Sequence, residues 1–343
     1  MNPRRFIPGL LNNLIWILLL GMVILFEALT PRFLSVRNIT DIFVHGAVLG
    51  ILVIGQTFTL ITGNFDLSME STLAICALAG AWVILPAGPP TWGGNLMLNP
   101  LIGIVVALAL GLAIGWLNGT LITRLKMNNF IVTLAMLIIL RGIVLGISEG
   151  NTMVRLPPQF TALGGASIGP IPICVIVMVI AFLIAYVVLQ HRPFGRKLFA
   201  VGGNKDAALA AGLNPEQRIR DVYMISGVLA ALAGWMFAGR QGVITEGMGQ
   251  NMILEVFAAA IIGGVSIFGG RGSVIGAFGG VLLLSALDSG LSLTRVNTFW
   301  IDAARGMVIL LAMLIDAQKV RYAEVSPAKK PAPSGSAAVP TED

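Results

Sequence analysis

HRPFGRKLFAVGGNKDAALAAGLNPEQRIR, residues 191–220, is the longest clearly polar stretch of this chain before its C-terminal tail. Apolar segments long enough to cross a bilayer flank it on both sides. It carries Arg192, Arg196, Lys197, Lys205, Arg218 and Arg220. Positive charge resists translocation, so a basic loop between two spans belongs on the cytoplasmic side. Within it, KDAALAAG (205–212) reads as a short helix. Asp, Ala and Leu suit its first turn and body, and Gly212 suits its stop. An exposed short helix with no charge after Asp206 looks like a docking element. The competing reading is a plain connector between two spans.

The composition excludes a soluble fold. Of 343 residues, 56% are hydrophobic and 11% charged, with mean hydropathy +0.89. Soluble domains average roughly 25% charged residues. The chain is read as an all-α polytopic membrane protein. Most of its 41 glycines lie inside apolar runs, where they suit packed transmembrane helices. The net charge of +6 does not point to nucleic acid, because the basic residues sit between spans. Cys76 and Cys174 each lie in an apolar run and read as small buried hydrophobes rather than a disulfide. His45 and His191 are too isolated to suggest a metal site, and no catalytic residue suggests itself. No HExxH, paired CxxC, nucleophile elbow or GxxxxGK[ST] phosphate loop is present, so nucleotide binding by that loop is not expected.

Counting apolar runs of about 20 residues gives about ten transmembrane helices. They fall near 10–29, 41–62, 67–85, 100–123, 130–149, 171–190, 221–240, 252–268, 273–291 and 299–315. The first follows Arg4 and Arg5 and has no small-residue cleavage site after it, so it reads as an uncleaved helix starting inside, with Glu27 near its outer end. With that orientation the inner segments hold 15 basic residues and the outer segments five, Arg32, Arg37, Arg155, Arg240 and Arg295. The bias places both termini in the cytoplasm. Residues 1–325 form one transmembrane domain with its cytoplasmic loop at 191–220; the Pro-, Ala- and Ser-rich tail, 326–343, is expected to be disordered. Gly- and Pro-rich loops at 86–99 and 150–170 lie outside and read as connectors or as contacts for an external partner. Two related halves of five helices each would be inverted across the membrane, although no letter-by-letter repeat is visible.

Small residues recur every four positions at Gly103, Ala107, Gly111, Gly115 and Gly119, and again at Gly272, Gly276 and Gly280. Such strips let helix backbones approach closely. Polar groups inside spans mark either a pathway or a structural pair. Asp302 and Arg305, three apart, are expected to pair. Arg141 needs an acid from another helix, and Asp66, Glu70 and Glu255 are available. Asp66 and Glu70, four apart, would share a helix face; paired carboxylates there suit the hydroxyls of a sugar or polyol, or neutralisation by Arg141. Gln56 and Asn118 can bond a ligand or a neighbouring helix. These six are the candidate pathway residues. A proton-coupled secondary carrier of a small polar solute would use the same acids as relays.

Five stretches occur in order: GNFDLS (63–68), NFIVTL (129–134), FGRKLFAVGGN (194–204), DAALAAG (206–212) and IGGVSIFGGRGSVIG (262–276). Together they resemble the permease subunit of bacterial sugar ABC importers, over roughly residues 31–316. The resemblance implies an inner-membrane permease that acts as a dimer, with itself or with a second permease. It implies two cytoplasmic ATPase subunits that bind ATP and Mg, leaving no cofactor in this chain, and a periplasmic binding protein that delivers the sugar. It also implies that Asn204, Lys205, Asp206, Ala207, Ala208 and Gly212 belong to the helix that couples to the ATPase. Around DLS the chain departs from the family's pattern: Asn64 stands for a glycine, Phe65 for an aliphatic residue, Met69 for valine and Glu70 for a glycine.

Overall fold

The computed structural model describes residues 14–297, 300–301, 303–307 and 310. Arg4, Arg5, Asp302 and the tail lie outside the described residues. The fold is mostly helical. Leu14–Leu29 (α1), Val36–Ile61 (α2), Met69–Trp82 (α3), Pro100–Thr123 (α4) and Asn129–Ser148 (α5) come first. Pro158–Gly165 (α6) and a small antiparallel hairpin, Ser167–Ile168 (β1) with Ile171–Pro172 (β2), lead to Ile173–Tyr186 (α7), which a π-helical turn extends to His191. The polar segment folds as Pro193–Gly203 (α8) and Lys205–Ala210 (α9). Pro215–Gln241 (α10), Met252–Ile262 (α11) and Val274–Leu293 (α12) follow.

Among the described residues six helices are long and apolar enough to cross a bilayer: α2, α4, α5, α7 with its π turn, α10 and α12. This is a multi-pass membrane protein. Three apolar helices are shorter. The 14 residues of α3 and the 11 of α11 reach only ~21 and ~16 Å at 1.5 Å per residue, against a hydrocarbon core of ~30 Å. The apolar runs at 67–85 and 252–268 continue past these helices because turn residues carry the hydropathy onward. Leu67 and Ser68 precede α3. Gly263 and Gly264 stop α11: the Gly264 amide donates to Ile261 O (2.8 Å) and the Val265 amide to Ala260 O (3.0 Å). This paired stop satisfies two carbonyls that the helix end would leave open.

The nearly fully buried α2 is the central post. Its Gly46 lies against Ser285 of α12, Gly50 against Met178 and Phe182 of α7, and Gly55 against Met69 of α3. The strip on α4 faces two helices: Gly103 meets the Gly80 carbonyl of α3, while Gly111, Gly115 and Gly119 meet Gly227, Tyr223 and Arg220 of α10. On α12, Gly276 and Gly280 meet the Gly263 and Ala259 carbonyls. Gly272, ahead of α12, instead meets the side chains of Ile61 and Val265, while the other glycines of both strips bring backbone against backbone.

The 150–170 segment is more than a connector. Phe160 of α6 is fully buried, Gly164 packs on the Met236 and Gly239 backbone of α10, and Trp235 Nε1 donates to Phe160 O. Pro158 starts α6 where a missing N–H is harmless.

Candidate functional site

At one end of the bundle the polar segment lies across the ends of α4, α5 and α10. Pro193 opens α8, which buries Gly195, Leu198 and Val201. Asn204 then caps α9, its side chain accepting from the Ala207 amide at 2.9 Å. The stop is a paired one: the Gly212 amide donates to Leu209 O (2.9 Å), the Leu213 amide to Ala208 O (3.0 Å), and Gly212 has φ +78°. Ala208 is the buried residue of α9, packing with Val201, Ile122, Val132, Ile219 and Tyr223. Lys205, Asp206, Ala207, Leu209 and Ala210 face outward. A cavity of about 800 Å³ opens beside α9, lined among others by Asn64, Lys126, Asn129, Lys205, Asp206 and Leu209.

Behind this cavity the GNFDLS turn forms a buried polar network. Asp66 is buried; its Oδ1 accepts from the Ser68 amide (3.0 Å) and Ser68 Oγ (2.6 Å), and its Oδ2 from Ser226 Oγ of α10 (2.8 Å). Asn118 Nδ2 of α4 donates to Ser68 Oγ (2.9 Å), and Tyr223 Oη donates to Phe65 O (2.8 Å). Asn64 accepts from Asn129 Nδ2 of α5 (3.2 Å), which carries the network to the cavity wall. Backbone that is not helical survives at membrane depth only where such partners surround it.

Asp66 and Glu70 do not share a helix face, because α3 begins at Met69 and Asp66 lies in the turn before it. Their bonds go to different helices. Glu70 Oε2 accepts from the Ile253 amide in the first turn of α11 (3.2 Å), where the helix dipole favours an anion. Its Oε1 stands 3.6 Å from Arg141 Nη2. Arg141 Nη1 also donates to Glu246 O (2.8 Å) and Met248 O (3.0 Å) in the stretch ahead of α11. Glu255 lies elsewhere, accepting from Arg305 Nη1 (2.7 Å); Arg305 also forks onto Asp288 at 2.7 and 2.8 Å. Gln56 is fully buried on α2, and its two side-chain polar atoms have no partner among the described residues; nor has Asn118 Oδ1.

Each departure from the family's pattern has its own local partner. Asn64 bonds Asn129. Phe65 packs edge-on between Phe130 (6.1 Å) and Phe257 (5.9 Å). Met69 fills the space beside Gly55, and Glu70 meets Arg141 and α11. Sequence reasoning missed Ser226 and Tyr223, which lie about 160 positions from their partners and carry no local signal. It also missed Asp288, whose signal is plain: a charge inside an apolar run.

Comparison with known proteins agrees with this geometry. The family described as branched-chain amino acid transport system / permease component matches residues 38–315. The chain is 35% identical over 300 residues to the ribose import permease protein of Bacillus subtilis, covering 87% of this chain and 90% of that one. It is 32% identical over 307 residues to the ribose import permease protein of Escherichia coli K12, covering 88% and 92%. It is 33% identical over 296 residues to the D-allose transport system permease protein of the same strain, covering 86% and 88%. No solved structure matches the chain. With four-fifths of its length matched, and a membrane fold carrying an exposed capped helix at one end, the chain belongs to this family of transport-system permease components.

Proposed function

We propose that the chain is the membrane-spanning permease subunit of an ATP-binding-cassette importer that moves a monosaccharide or related polyol. The observation that carries this reading is α9. Its Asn204 cap and Gly212 stop fix a short helix whose outward residues are exposed and make no side-chain hydrogen bond among the described residues, as a docking element requires. The sugar class follows the ribose and allose permeases to which the chain is similar. The chain has no ATPase site of its own: separate cytoplasmic ATPase subunits bind ATP and Mg and seat on α9, and a periplasmic binding protein delivers the solute. Two permease copies, identical or different, sit side by side in lipid in the bacterial inner membrane, each a single transmembrane domain with both termini cytoplasmic.

Ten membrane segments in two inverted halves suit this arrangement. Support comes from α2 and α10, 26 and 27 residues long, each followed by a left-handed glycine, Gly63 and Gly242, and then by a short helix, α3 and α11. Short helices at matching positions of two halves mark the pathway in such folds. Among the pathway candidates, Asp66, Glu70 and Glu255 accept hydrogen bonds within the chain, and Arg141 Nη1 donates to two carbonyls. Gln56, Asn118 Oδ1 and Arg141 Nη2, 3.6 Å from Glu70, have no hydrogen-bond partner among the described residues and have polar atoms to offer a solute.

The test is purification from the native membrane in mild detergent. A cytoplasmic ATPase should remain bound to the intact chain and be lost when 205–212 is scrambled. No bound ATPase, with uptake that collapses with the proton gradient, would replace this reading with an ion-coupled carrier.

A further inference from the structure

Three segments far apart in the chain meet at the α9 end of the bundle: the end of α2 at Ile61–Gly63, the end of α8 at Gly202–Gly203, and Gly269–Gly270 between α11 and α12. The Gly270 amide donates to Ile61 O at 2.9 Å. A Cβ on Gly202 would run into that same carbonyl oxygen and lie 2.7 Å from the Gly270 nitrogen. One on Gly269 would come within 2.7 Å of the Gly63 nitrogen and 2.8 Å of Gly202 O, and one on Gly270 within 2.8 Å of the Gly203 Cα. The three backbones therefore touch with no side chain between them. Side chains can absorb small displacements by changing rotamer, whereas close-packed backbone transmits them. Only Asn204 separates α8 from α9, and its side chain caps α9.

We propose that Gly202 is a positioning residue of the transport cycle. It seats the α8–α9 unit on the Ile61–Gly270 hydrogen bond, so that movement of α9 reaches two places at once. One is the turn leading to α3; the other is the turn joining α11 to α12. Both short helices then respond to a single push. This rests on the permease reading of α9 and adds to it the point of contact. The chain supplies an internal control: a Cβ on neighbouring Gly203 meets nothing within 4 Å.

The complete complex of permease, ATPase and binding protein is reconstituted in lipid vesicles, and ATP hydrolysis and solute uptake are measured separately for Gly202→Ala and Gly203→Ala. Both variants should retain the ATPase. Gly203→Ala should transport as the unaltered chain does. Gly202→Ala should hydrolyse ATP while uptake per ATP falls on the order of tenfold, a usual size for coupling between sites. Equal uptake per ATP in the two variants overturns the proposal. Should Gly202→Ala not accumulate in the membrane, spin labels on the otherwise unaltered chain decide. Labels at Arg196 and Phe268, both exposed, should keep their separation when ATP binds, while the distance from Phe268 to a label at exposed Leu254 changes. A shift in the first distance, or none in the second, overturns the seat. Failure of the importer reading looks different: the unaltered chain then holds no ATPase at all.

Discussion

Ahead of α3 the chain runs through Asn64, Phe65, Asp66, Leu67 and Ser68; ahead of α11 it runs through Val243 to Asn251. Both stretches are irregular backbone that must be satisfied inside a membrane protein, and they are held by different means. The first is tied by side chains from three helices: Asn129 of α5, Asn118 of α4, and Ser226 and Tyr223 of α10. The second is tied by one guanidinium, Arg141, and by a backbone pair between Met153 and Ile244 at 2.8 and 2.9 Å. Glu70 joins the two, standing in α3 and binding the start of α11. Dispersed anchoring lets any one bond be lost at modest cost. Concentrated anchoring makes one residue decisive.

Removing that residue should have the largest effect. Arg141→Met frees two carbonyls and leaves the Glu70 carboxylate without its cation, at a cost of about 3 kcal/mol. The thermal midpoint of the purified permease should fall, and adding Glu70→Gln should recover part of the loss. No recovery in the double variant would mean that Arg141 acts only on the carbonyls. Next comes the centre of the dispersed network. Asp66→Ala leaves the Ser68 and Ser226 hydroxyls without their acceptor and should cost about 2 kcal/mol, with Asp66→Asn near half of that. Equal losses in these two would show that the charge, rather than the hydrogen bonds, matters.

The left-handed glycines sharpen the same contrast. Gly242→Ala meets open space and should cost about 1 kcal/mol for the backbone conformation alone. Gly63→Ala should cost about as much, because its Cβ would meet Phe268 O at 3.4 Å, an ordinary van der Waals contact. Chemical denaturation in detergent can compare the pair, and a clearly larger loss at Gly63 would show that its surroundings add to the backbone cost. The smallest effect belongs to the edge of the dispersed network: Asn129→Ala gives up its 3.2 Å bond to Asn64 and a local bond from the Phe130 amide, which Asn128 Oδ1 also accepts, and should cost ~0.5 kcal/mol in the same assay. A loss as large as that of Arg141→Met would end the distinction between the two stretches.

What could be read from the letters follows the range of the forces involved. The α9 helix is legible because its cap and stop are local: Asn204 lies three residues before the amide it accepts from, and Gly212 carries its own conformational preference. The packing strips are legible because their period is local. The membrane class is legible because composition alone decides it. The shortness of α3 and α11 is hidden, since Leu67 and the 263–268 stretch keep the hydropathy high while the backbone turns. The helical character of α8 is masked by its charges, although Leu198 and Val201 sit three apart on its buried face. The Arg141–Glu70 pairing lies within reach of sequence reasoning, as few acids are available to choose from. The Ser226–Asp66 bond is not, because a serine among apolar residues does not announce which turn it faces.

The two short helices also bear on how the finished bundle keeps its ends together. A helix of 11 residues falls well short of the ~20 needed to cross a bilayer alone. Protein completes α11 on both sides: Gly276 and Gly280 of α12 close on its backbone, and Glu70, 183 residues before Ile253, meets its first turn. The native seat of α11 thus draws on both halves of the chain.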